Sequence, residues 1–248
     1  MDDRVTMIMP MAGLGSRFTK SGEHYPKPLI ELAGKPFFYW ATIGVTRELV
    51  GVQLIYVVLL EHVERYAIDR KIKAYFPGAS VVTVEHVTSG ALETAMKALP
   101  LIHPDAALII NDCDHAFSYK KLADACEMLR GKGDGFLSHF NSKEAHFSYA
   151  EYSKDGNLLR TAEKEVISDL AIAGIYGFRN SSKLKALSEV YAKNCRYTEL
   201  FISGVYNELV NIGGTVHGFP IDFHLSFGTP EQYALAQEHL EALKGLES

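Results

Sequence analysis

Short apolar runs alternate with amphipathic stretches along the first half of the chain. The apolar runs have the length and composition of buried strands, and they are Val5–Met9, Gln53–Leu59, Val81–Val84 and Ala106–Ile110. The stretches between them have helical spacing and cover Lys35–Val50, Val63–Phe76 and Leu92–Leu99. A fourth helix, with Ser118 as its predicted cap, carries apolar residues at i, i+3, i+4 and i+7, namely Leu122, Ala125, Cys126 and Leu129. This alternation predicts an α/β fold whose central sheet is mostly parallel, with helices on both faces.

After residue 134 the predicted strands follow one another more directly. They are Gly135–Phe140, Phe147–Tyr152 and Ala171–Phe178, with a turn at residues 155–157. Thr229, Pro230 and Gln232 then form a capping-box pattern, which predicts a last helix that runs to about Lys244. We therefore expect a single domain over residues 1–248. Its parts are a core of about 1–134, a mixed-sheet region of about 135–228 and a C-terminal helix at 229–245.

Composition narrows the class of protein. A length of 248 residues with 47% hydrophobic residues suits one α/β domain with a sizeable core. The formal net charge of −5, with no basic block, argues against nucleic acid as the main partner. The three cysteines lack metal or disulfide spacing. Met1–Arg4 does not resemble a signal peptide, and Leu54–Leu60 is too short to cross a bilayer. A cytoplasmic enzyme without a membrane partner is expected.

The stretch from Pro10 to Leu29 concentrates glycines and cations directly after the first predicted strand. Gly13 and Gly15 make a loop with little side-chain bulk, whose backbone N–H groups can approach a phosphate or a base closely. Arg17 offers a rigid fork of donors and Lys27 a compact charge, and a proline on each side restricts the backbone at Lys27. This combination predicts a site that binds a polyphosphate.

Two common phosphate loops do not match this stretch. A dinucleotide-binding loop has a third glycine three residues after Gly15, where this chain has Phe18. The Walker pattern, with Lys and then Ser or Thr directly after a glycine, is also absent from the sequence. A tight turn with no ligand is the structural alternative.

Two carboxylates, Asp112 and Asp114, directly follow the predicted strand Ala106–Ile110. The carboxyl ends of parallel strands are where α/β sheets bind ligands. Mg²⁺ prefers a few carboxylate oxygens together with water and substrate phosphates, so these residues are candidate metal ligands. The alternative is a turn in which an aspartate caps the next helix. Zinc is not expected at His115, because no second histidine lies at ligand spacing nearby.

The Gly-x-Gly-Ser-Arg and Pro-Lys-Pro-Leu segments together resemble the signature of the sugar-phosphate nucleotidylyltransferases, also called nucleoside-diphosphate-sugar pyrophosphorylases. The resemblance runs from about residue 5 to residue 235. It implies a glycosyltransferase-A-like, Rossmann-like nucleotidyltransferase fold and Mg²⁺ on Asp112, Asp114 or both. It also implies a nucleotide site built from Met11, Ala12, Gly13, Gly15, Ser16, Arg17, Lys27, Glu85, Thr88, Ser89 and Gly90.

The segment Glu85–Ala91 resembles the part of that family that reads the base. Gly90 matches a glycine that approaches the ring, and Glu85 replaces an amide side chain five residues earlier. A carboxylate only accepts hydrogen bonds, so it suits the amino group of cytosine better than the O4 of uracil or thymine. A preference for CTP is therefore expected. The alternative is that Glu85 is an exposed charge at a strand end.

The second half of the chain resembles the acceptor side of the same family. Glu163 and Lys164 match a Glu-Lys pair in which Glu contacts the sugar and Lys its phosphate, and a Gly-x-Tyr-x-Phe strand follows at Gly174. Looser matches resemble a branch found in capsule and surface-polysaccharide pathways, namely His146–Tyr149, Ser168 and Val205–Asn207. The acceptor site implied by the resemblance consists of Ser148, Tyr149, Glu163, Lys164, Gly174 and Tyr206.

One departure from the family concerns its second metal ligand. Many members have an aspartate two residues before the glycine of the terminal Gly-Thr segment, which is Gly228 here. This chain has Ser226 at that position. Asp222, His224 or water are the alternatives for that ligand.

The reaction implied by the resemblance is attack of an acceptor phosphate on the α-phosphorus of a nucleoside triphosphate, with pyrophosphate leaving. Arg17 would hold the β- and γ-phosphates, Lys27 the α-phosphate and Lys164 the acceptor phosphate. The expected partners are a nucleoside triphosphate and a phosphorylated small molecule, and a homo-oligomer is compatible with the sequence. A glycosyltransferase of related fold and an inactive nucleotide-binding regulator are the alternative functions.

Overall fold

The computed structural model describes residues 5–131 and 133–247, so the residues that bear on a signal peptide, 1–4, lie outside it. The strands are β1 (Thr6–Met11), β2 (Glu31–Leu32), β3 (Lys35–Pro36), β4 (Gln53–Leu59), β5 (Ser80–Val84), β6 (Leu108–Asn111), β7 (His115–Ser118), β8 (Gly135–Asn141), β9 (Ser148–Tyr152), β10 (Leu158–Glu163), β11 (Leu170–Phe178), β12 (Val216–Pro220) and β13 (Phe223–Ser226). The helices are α1 (Ser16–Lys20), α2 (Phe37–Thr46), α3 (Leu60–Tyr66), α4 (Ile68–Tyr75), α5 (Ala91–Met96), α6 (Leu122–Arg130), α7 (Ser181–Asn194), α8 (Ser203–Asn211), α9 (Pro230–Ala236) and α10 (Leu240–Glu247).

The parallel core of the sheet is built around β1. Strand β4 pairs with β1 along its whole length and is followed at the edge by β5, while β6 pairs with the other side of β1. Strands β1, β4 and β6 are apolar at successive positions because both of their faces are covered, as in other parallel sheets, whereas the edge strand β5 is only partly buried. The predicted parallel core is confirmed, and the bounds of β4 agree with the prediction.

The second half of the chain extends this core with antiparallel strands. Strand β11 runs antiparallel to β6, and it pairs in turn with β8 and, at one position, with β9. Strands β10 and β12 add to β9 and β8. Within the described residues this makes a mixed sheet of nine strands, with the order β10-β9-β11-β6-β1-β4-β5 along its main path. The predicted mixed-sheet region is confirmed.

Helices cover both faces of the sheet. Neighbouring residues of β1 point to opposite faces, so Met7 packs in one core and Ile8 in the other. Helices α2, α4 and α6 cover the first face and α5, α7 and α8 the second. None of the helices in the two described ranges is long and apolar enough to cross a bilayer.

The C-terminal helices pack on α2 in a third apolar cluster around Trp40, Phe227 and Leu243. The predicted N-cap is confirmed, because the Thr229 side chain accepts a hydrogen bond from the backbone N–H of Gln232 at 3.2 Å. The other half of the predicted capping box differs, because the Gln232 side chain accepts from the backbone N–H of Gly228 rather than from that of Thr229. The predicted single helix is instead two helices, α9 and α10, joined by a 3₁₀ turn at Gln237–His239.

Several predicted elements in the first half differ from the prediction, and three of the differences have a clear physical reason. The helix predicted over Val63–Phe76 is divided at Ala67, whose φ of 52° closes α3 in the left-handed region before α4 begins. Helix α2 begins only after the hairpin of β2 and β3, which takes up Lys35 and Pro36. Ser118 does not cap α6, because it lies in β7 and pairs there with Phe223.

Candidate active site

A cavity of about 600 Å³ opens at the carboxyl ends of β1 and β6. The loops that follow β1, β5 and β6 line one side of it, and residues of β9, β10 and β11 line the other. This is the position in which open α/β sheets bind ligands. The predicted residues that line it are Met11, Ala12, Gly13, Gly15, Ser16, Arg17, Lys27, Thr88, Ser89, Gly90, Asp112, Asp114, Ser148, Glu163, Lys164 and Gly174.

The loop after β1 packs tightly against Lys27. Gly15 has a φ of 59° and ends the loop in front of α1, and a Cβ placed on it would lie 2.9 Å from the Cβ of Lys27. A side chain at this position would therefore be both strained and crowded. The chain thus brings Gly15 and Lys27, twelve positions apart, to the same wall of the cavity. Arg17, in α1, is exposed on that wall.

The ammonium of Lys27 pairs with the carboxylate Oδ2 of Asp114. Partial burial opposes the charge on each of them, but each supplies the counter-charge of the other. Their attraction outweighs the burial, so the pKa of Lys27 lies above its ordinary value and the pKa of Asp114 lies below. Both groups are therefore charged at neutral pH.

Asp112 is held differently from Asp114. Its backbone N–H donates to the carbonyl of Gly174 at 2.9 Å, and the hydroxyl of Tyr176 lies 3.5 Å from its Oδ2. Burial, and then the charge of Asp114, raise the pKa of Asp112. A cation near this carboxylate would reverse that shift, because an opposite charge favours the ionised form.

Gly174 makes room for Asp112. It lies where the pairing of β11 with β8 is interrupted, and its φ is 78°. A Cβ there would be 2.9 Å from Oδ2 of Asp112. The glycine predicted from the Gly-x-Tyr-x-Phe pattern thus lies against a carboxylate at the end of β6.

The donor set around the two aspartates fits a hard cation that completes its shell from substrate and water. Asp112, Asp114 and Ser226 all line the cavity and offer oxygen atoms, which are the ligands Mg²⁺ takes. No group of three or more His, Cys, Asp or Glu side chains in the described part of the chain is arranged to hold a metal by itself. The fit is to a metal bound through two carboxylates and substrate phosphates rather than to a protein cage.

Asp222 and His224, the alternatives for the second ligand, lie in different surroundings. Oδ2 of Asp222 accepts a hydrogen bond from the backbone N–H of Lys120 at 2.8 Å, and this side chain does not line the cavity. His224 lines the cavity, but its Nε2 lies 3.3 Å from Nδ1 of His115. Asp222 is therefore excluded as a metal ligand by its position.

His224 belongs to a polar chain beneath the aspartates. Nε2 of His115 lies 3.0 Å from Oδ1 of Asn111, whose amide donates to the carbonyl of Ala41. With that imidazole N–H donating, Nδ1 of His115 accepts from His224. Burial lowers the pKa of His115 to about 4 and the pKa of His224 to about 3. Both rings are neutral at pH 7 and hold the loop after β6 by hydrogen bonds.

Glu163 and Lys164 occupy the opposite end of the cavity. The carboxylate of Glu163 is buried and accepts hydrogen bonds from Ser148, at 2.7 Å, and from Ser203. Burial raises its pKa, and the two hydroxyls only partly offset this effect. Lys164 has a φ of 55°, and its exposed ammonium lies 5.4 Å from the ring centre of Phe201. The buried carboxylate of Glu163, which accepts hydrogen bonds, and the accessible ammonium of Lys164 therefore belong to adjacent residues.

The loop after β5 is joined to this end through Leu200. The backbone N–H of Leu200 donates to the carbonyl of Ser89 at 2.8 Å, and its carbonyl accepts from the N–H of Leu92 at 3.1 Å. Residues 88–90 line the cavity, whereas Glu85 is exposed and does not. The structure therefore does not support Glu85 as a group that reads the base, and the alternative of an exposed charge at a strand end describes it.

Two predicted acceptor residues lie in the core instead of the cavity. Tyr149 and Tyr206 are fully buried. The hydroxyl of Tyr149 donates to the carbonyl of Glu144 at 2.9 Å, and that of Tyr206 lies 2.9 Å from the carbonyls of Phe136 and Gly177. Because their hydroxyls donate to backbone carbonyls in the core, Tyr149 and Tyr206 are not part of the acceptor site.

The structure adds cavity residues that the sequence did not indicate. They come from the segment before α8 and from α9, and they include Thr198, Glu199, Phe201 and Gln232. His224 of β13 also lines the cavity, and the sequence had named it only as an alternative metal ligand. The segment before α8 has no motif and no periodic pattern. Gln232 was predicted only as part of a helix cap, and no signal in the sequence indicates that its side chain faces a ligand cavity.

Among known proteins, solved structures match the fold of this chain. No protein-family model matches the chain, and no curated protein matches it. The solved structure of a nucleoside-diphosphate-sugar pyrophosphorylase from Vibrio cholerae RC9 matches with a TM-score of 0.81 at 21% identity, covering 94% of this chain and 99% of that one. The inositol-1-phosphate CTP transferase from T. maritima matches with a TM-score of 0.79 at 13% identity, covering 99% and 97%.

A UDP-glucose pyrophosphorylase complexed with UDP-glucose also matches, with a TM-score of 0.73 at 15% identity, over 96% of this chain and 99% of that one. The predicted fold is therefore confirmed: the chain has the α/β architecture of the nucleotidyltransferases. At these identities the likeness concerns the fold, and the chemistry has to be argued from the residues of the cavity.

Proposed function

We propose that this protein is a nucleotidylyltransferase. It transfers a nucleoside monophosphate from a nucleoside triphosphate to a phosphorylated sugar or another small phosphorylated acceptor, and it releases pyrophosphate. The observation that carries the proposal is the placement of Lys27, Asp112 and Asp114 on one wall of a cavity whose other end holds Glu163 and Lys164. The pyrophosphorylase and CTP transferase names of the fold neighbours support the same class of reaction.

The reaction needs no nucleophile from the protein. An oxygen of the acceptor phosphate attacks the α-phosphorus, a new P–O bond forms, and the bond between the α-phosphorus and the bridging oxygen breaks with its electrons going to pyrophosphate. Charge neutralisation and positioning then account for most of the catalysis. In our proposal Lys27 contacts the α-phosphate and Arg17 the leaving phosphates. The glycine loop between β1 and α1 offers backbone N–H groups to the same anion.

Asp112 and Asp114 would hold Mg²⁺, which when bound supplies charge neutralisation at the phosphates. The pairing of Asp114 with Lys27 keeps this carboxylate ionised in the free protein. Gly174 leaves the space that Asp112 occupies. The chain thus keeps two oxygen ligands next to the cation that would meet the α-phosphate.

Lys164 would bind the acceptor phosphate and Glu163 a hydroxyl of the acceptor. The two serines that donate to Glu163 satisfy part of its capacity and leave lone pairs for a ligand. The proposed place of the product, as a precursor of capsule or other surface polysaccharides, rests on the resemblance of the segments around Ser148 and Val205 to that branch of the family.

CTP remains the proposed donor, but on a different basis from Glu85. The name of the T. maritima neighbour includes CTP, and the backbone groups near Met11 and Gly90 line the cavity and can read a base edge. This assignment is tested by measuring pyrophosphate release with CTP, UTP, dTTP and ATP against a panel of sugar 1-phosphates and other phosphorylated acceptors. A lack of release in every combination would contradict the proposed activity.

The same screen separates the alternatives. A glycosyltransferase of related fold would use a nucleotide-sugar donor and release no pyrophosphate from a triphosphate. An inactive regulator would bind a nucleotide, measured by calorimetry, and turn over none of the acceptors. Release of pyrophosphate that depends on one acceptor supports the proposal against both.

A further inference from the structure

Gln232 bridges two walls of the cavity. Its side-chain Oε1 accepts hydrogen bonds from Oγ of Ser226, at 3.0 Å, and from the backbone N–H of Gly228, at 3.1 Å. Its Nε2 lies 2.6 Å from Nε2 of His146, in the loop between β8 and β9. One amide at the start of α9 therefore joins the segment after β13 to the loop before β9.

The Oε1 end of this bridge holds the backbone that lies against Asp114. A Cβ on Gly228 would lie 2.5 Å from Oδ2 of Asp114, and the N–H of Phe227 donates to the carbonyl of Asp114 at 2.9 Å. The backbone at residues 227–228 is thus the surface against which this carboxylate rests. Gln232 holds that backbone through the N–H of Gly228 and the hydroxyl of Ser226.

The Nε2 end of the bridge contacts the loop that is hydrogen-bonded to Lys164. The residue after His146 is Phe147, whose carbonyl accepts the N–H of Lys164 at 3.0 Å. Lys164 has a φ of 55°, a conformation that a residue with a side chain rarely adopts without support. The position of the loop at His146 therefore affects the position of the cation at the acceptor end.

The two ends fix which atoms carry hydrogen. Because Oε1 of Gln232 accepts two hydrogen bonds, Nε2 is its donor, and Nε2 of His146 must accept. The neutral imidazole then carries its proton on Nδ1, which lies 3.5 Å from Oε2 of Glu144. The bridge thus predicts one specific tautomer of His146, which can be measured.

We propose that Gln232 is a positioning residue that keeps the wall at Asp114 and the wall at Lys164 at the distance the transfer requires. This inference rests on the proposed function. The inference goes beyond the proposed function because it assigns to Gln232, in the first turn of α9, the alignment of the nucleotide with the phosphorylated acceptor. Loss of the bridge should affect use of the acceptor more than binding of the nucleotide, because the glycine loop and Arg17, both proposed for the nucleotide, lie on the loop after β1 and on α1, which the bridge does not join.

The test compares Gln232→Ala, Gln232→Glu and, as a matched control, Gln237→Ala, which removes a glutamine that does not line the cavity. Kinetics use the nucleotide and sugar phosphate that release most pyrophosphate in the screen above. Gln232→Ala should raise the acceptor KM on the order of tenfold, the factor that corresponds to one or two hydrogen bonds. Its nucleotide KM should change less than twofold.

Gln232→Glu is the conservative variant. Its carboxylate can still accept from Ser226 and Gly228, and it can accept a hydrogen bond from His146 instead of donating one. It should restore most of the acceptor KM while reversing the tautomer of His146. Gln237→Ala should match the wild type in both measurements.

Imidazole nitrogen NMR of the free protein, with His146 assigned by its own substitution, gives a readout that is independent of activity. The wild type should have the proton of His146 on Nδ1, and Gln232→Ala should lose this preference. An unchanged tautomer in Gln232→Ala, or an unchanged acceptor KM in that variant, would overturn the inference. If the wild type transfers no nucleotidyl group, the proposed function fails instead, and the tautomer still decides whether the bridge exists.

Discussion

Lys27 and Asp114 are 87 positions apart in the chain, and their side chains form an ion pair in the wall of the cavity. Each is a group that the proposed reaction uses, one for a phosphate and one for a metal. In the free protein they neutralise each other, so neither is left as an uncompensated charge in a partly buried place. When a nucleotide and a metal bind, their electrostatic interactions with Lys27 and Asp114 have to be at least as favourable as the ion pair between these two residues.

The first prediction concerns Lys27. Lys27→Ala should lower kcat on the order of 10²–10³-fold, by analogy with loss of one charge-stabilising donor. The pKa of Asp114 should rise, because its counter-charge is gone. Steady-state pyrophosphate release at saturating Mg²⁺ measures the first effect, and circular dichroism verifies the fold. Lys20→Ala is the control, because Lys20 is a nearby lysine at the end of α1 that does not line the cavity, and this variant should keep the wild-type kcat.

Lys164 should affect the other substrate. Lys164→Ala is expected to raise the acceptor KM by about tenfold or more, since hydrogen bonds to charged groups are the stronger ones, and to leave the nucleotide KM nearly unchanged. The two KM values are measured separately with the other substrate saturating. Lys154→Ala, an exposed lysine outside the cavity, serves as the control. A raised nucleotide KM with an unchanged acceptor KM would reverse the assignment.

Gly174 allows a prediction with a closely matched control. Gly174 and Gly156 both have a φ of 78°, but a Cβ on Gly174 would meet Oδ2 of Asp112 at 2.9 Å, whereas a Cβ on Gly156 would meet nothing within 4 Å. Alanine at either position should cost about 1–2 kcal/mol of unfolding free energy for its left-handed backbone. Only Gly174→Ala should also lower kcat, because it displaces Asp112. Urea unfolding and pyrophosphate release are compared for both variants, and equal kcat values would contradict this role of Gly174.

Glu85 should not decide the base. Its side chain is exposed and does not line the cavity, so Glu85→Gln should leave the ratio of kcat/KM for CTP and UTP within twofold of the wild-type ratio. A direct base contact would be worth roughly 1–3 kcal/mol, or about one to two decades in that ratio. A change of that size in Glu85→Gln would show that the loop after β5 moves when a nucleotide binds.

The histidine pair makes stability depend on pH. The folded-state pKa values of His115 and His224 are lowered to about 4 and about 3, so between about pH 6.5 and these values the unfolded chain binds more protons than the folded one. The stability is fully present above pH 6.5 and is lost as the pH falls below it. Each histidine contributes up to about 2 kcal/mol of this loss between pH 7.5 and pH 5.

The measurement is urea unfolding of the ligand-free protein at pH 7.5 and at pH 5. His224→Asn should be less stable than the wild type at pH 7.5, because His115 loses its donor, and its stability should change less with pH. His239→Asn, at an exposed histidine, is the control and should keep the wild-type dependence. A wild type whose unfolding free energy is equal at both pH values would contradict the prediction.

The sequence by itself determined the parallel core and the stretches that carry the chemistry. Strands with both faces buried are continuous apolar runs, and loops that bind phosphate need glycine and cations close together in the chain, so both leave a local pattern. For this reason β4 was predicted to the residue, and the loop from Gly13 to Lys27 was predicted to belong to the site. The same holds for the aspartates after β6 and for the pair Glu163–Lys164, all of which line the cavity.

Only the tertiary structure decided which side chains face the cavity. Tyr149 and Tyr206 belong to matching segments, yet their hydroxyls donate to backbone carbonyls in the core. Glu85 follows a strand at the right end of the sheet but is turned to solvent. The direction of a side chain at a strand end depends on how the neighbouring strands and helices pack, and that information is spread over the whole chain.

The contacts between distant segments have the same origin. Neither the ion pair of Lys27 with Asp114 nor the bridge from Gln232 to His146 leaves a pattern along the chain, because each joins residues more than 80 positions apart. The order of strands in the sheet sets these distances, since β6 pairs directly with β1 while β13 pairs with β7 beside them. The sequence shows which residue types are present at these positions, but the contacts of Lys27 with Asp114 and of Gln232 with His146 follow from the packing of the sheet.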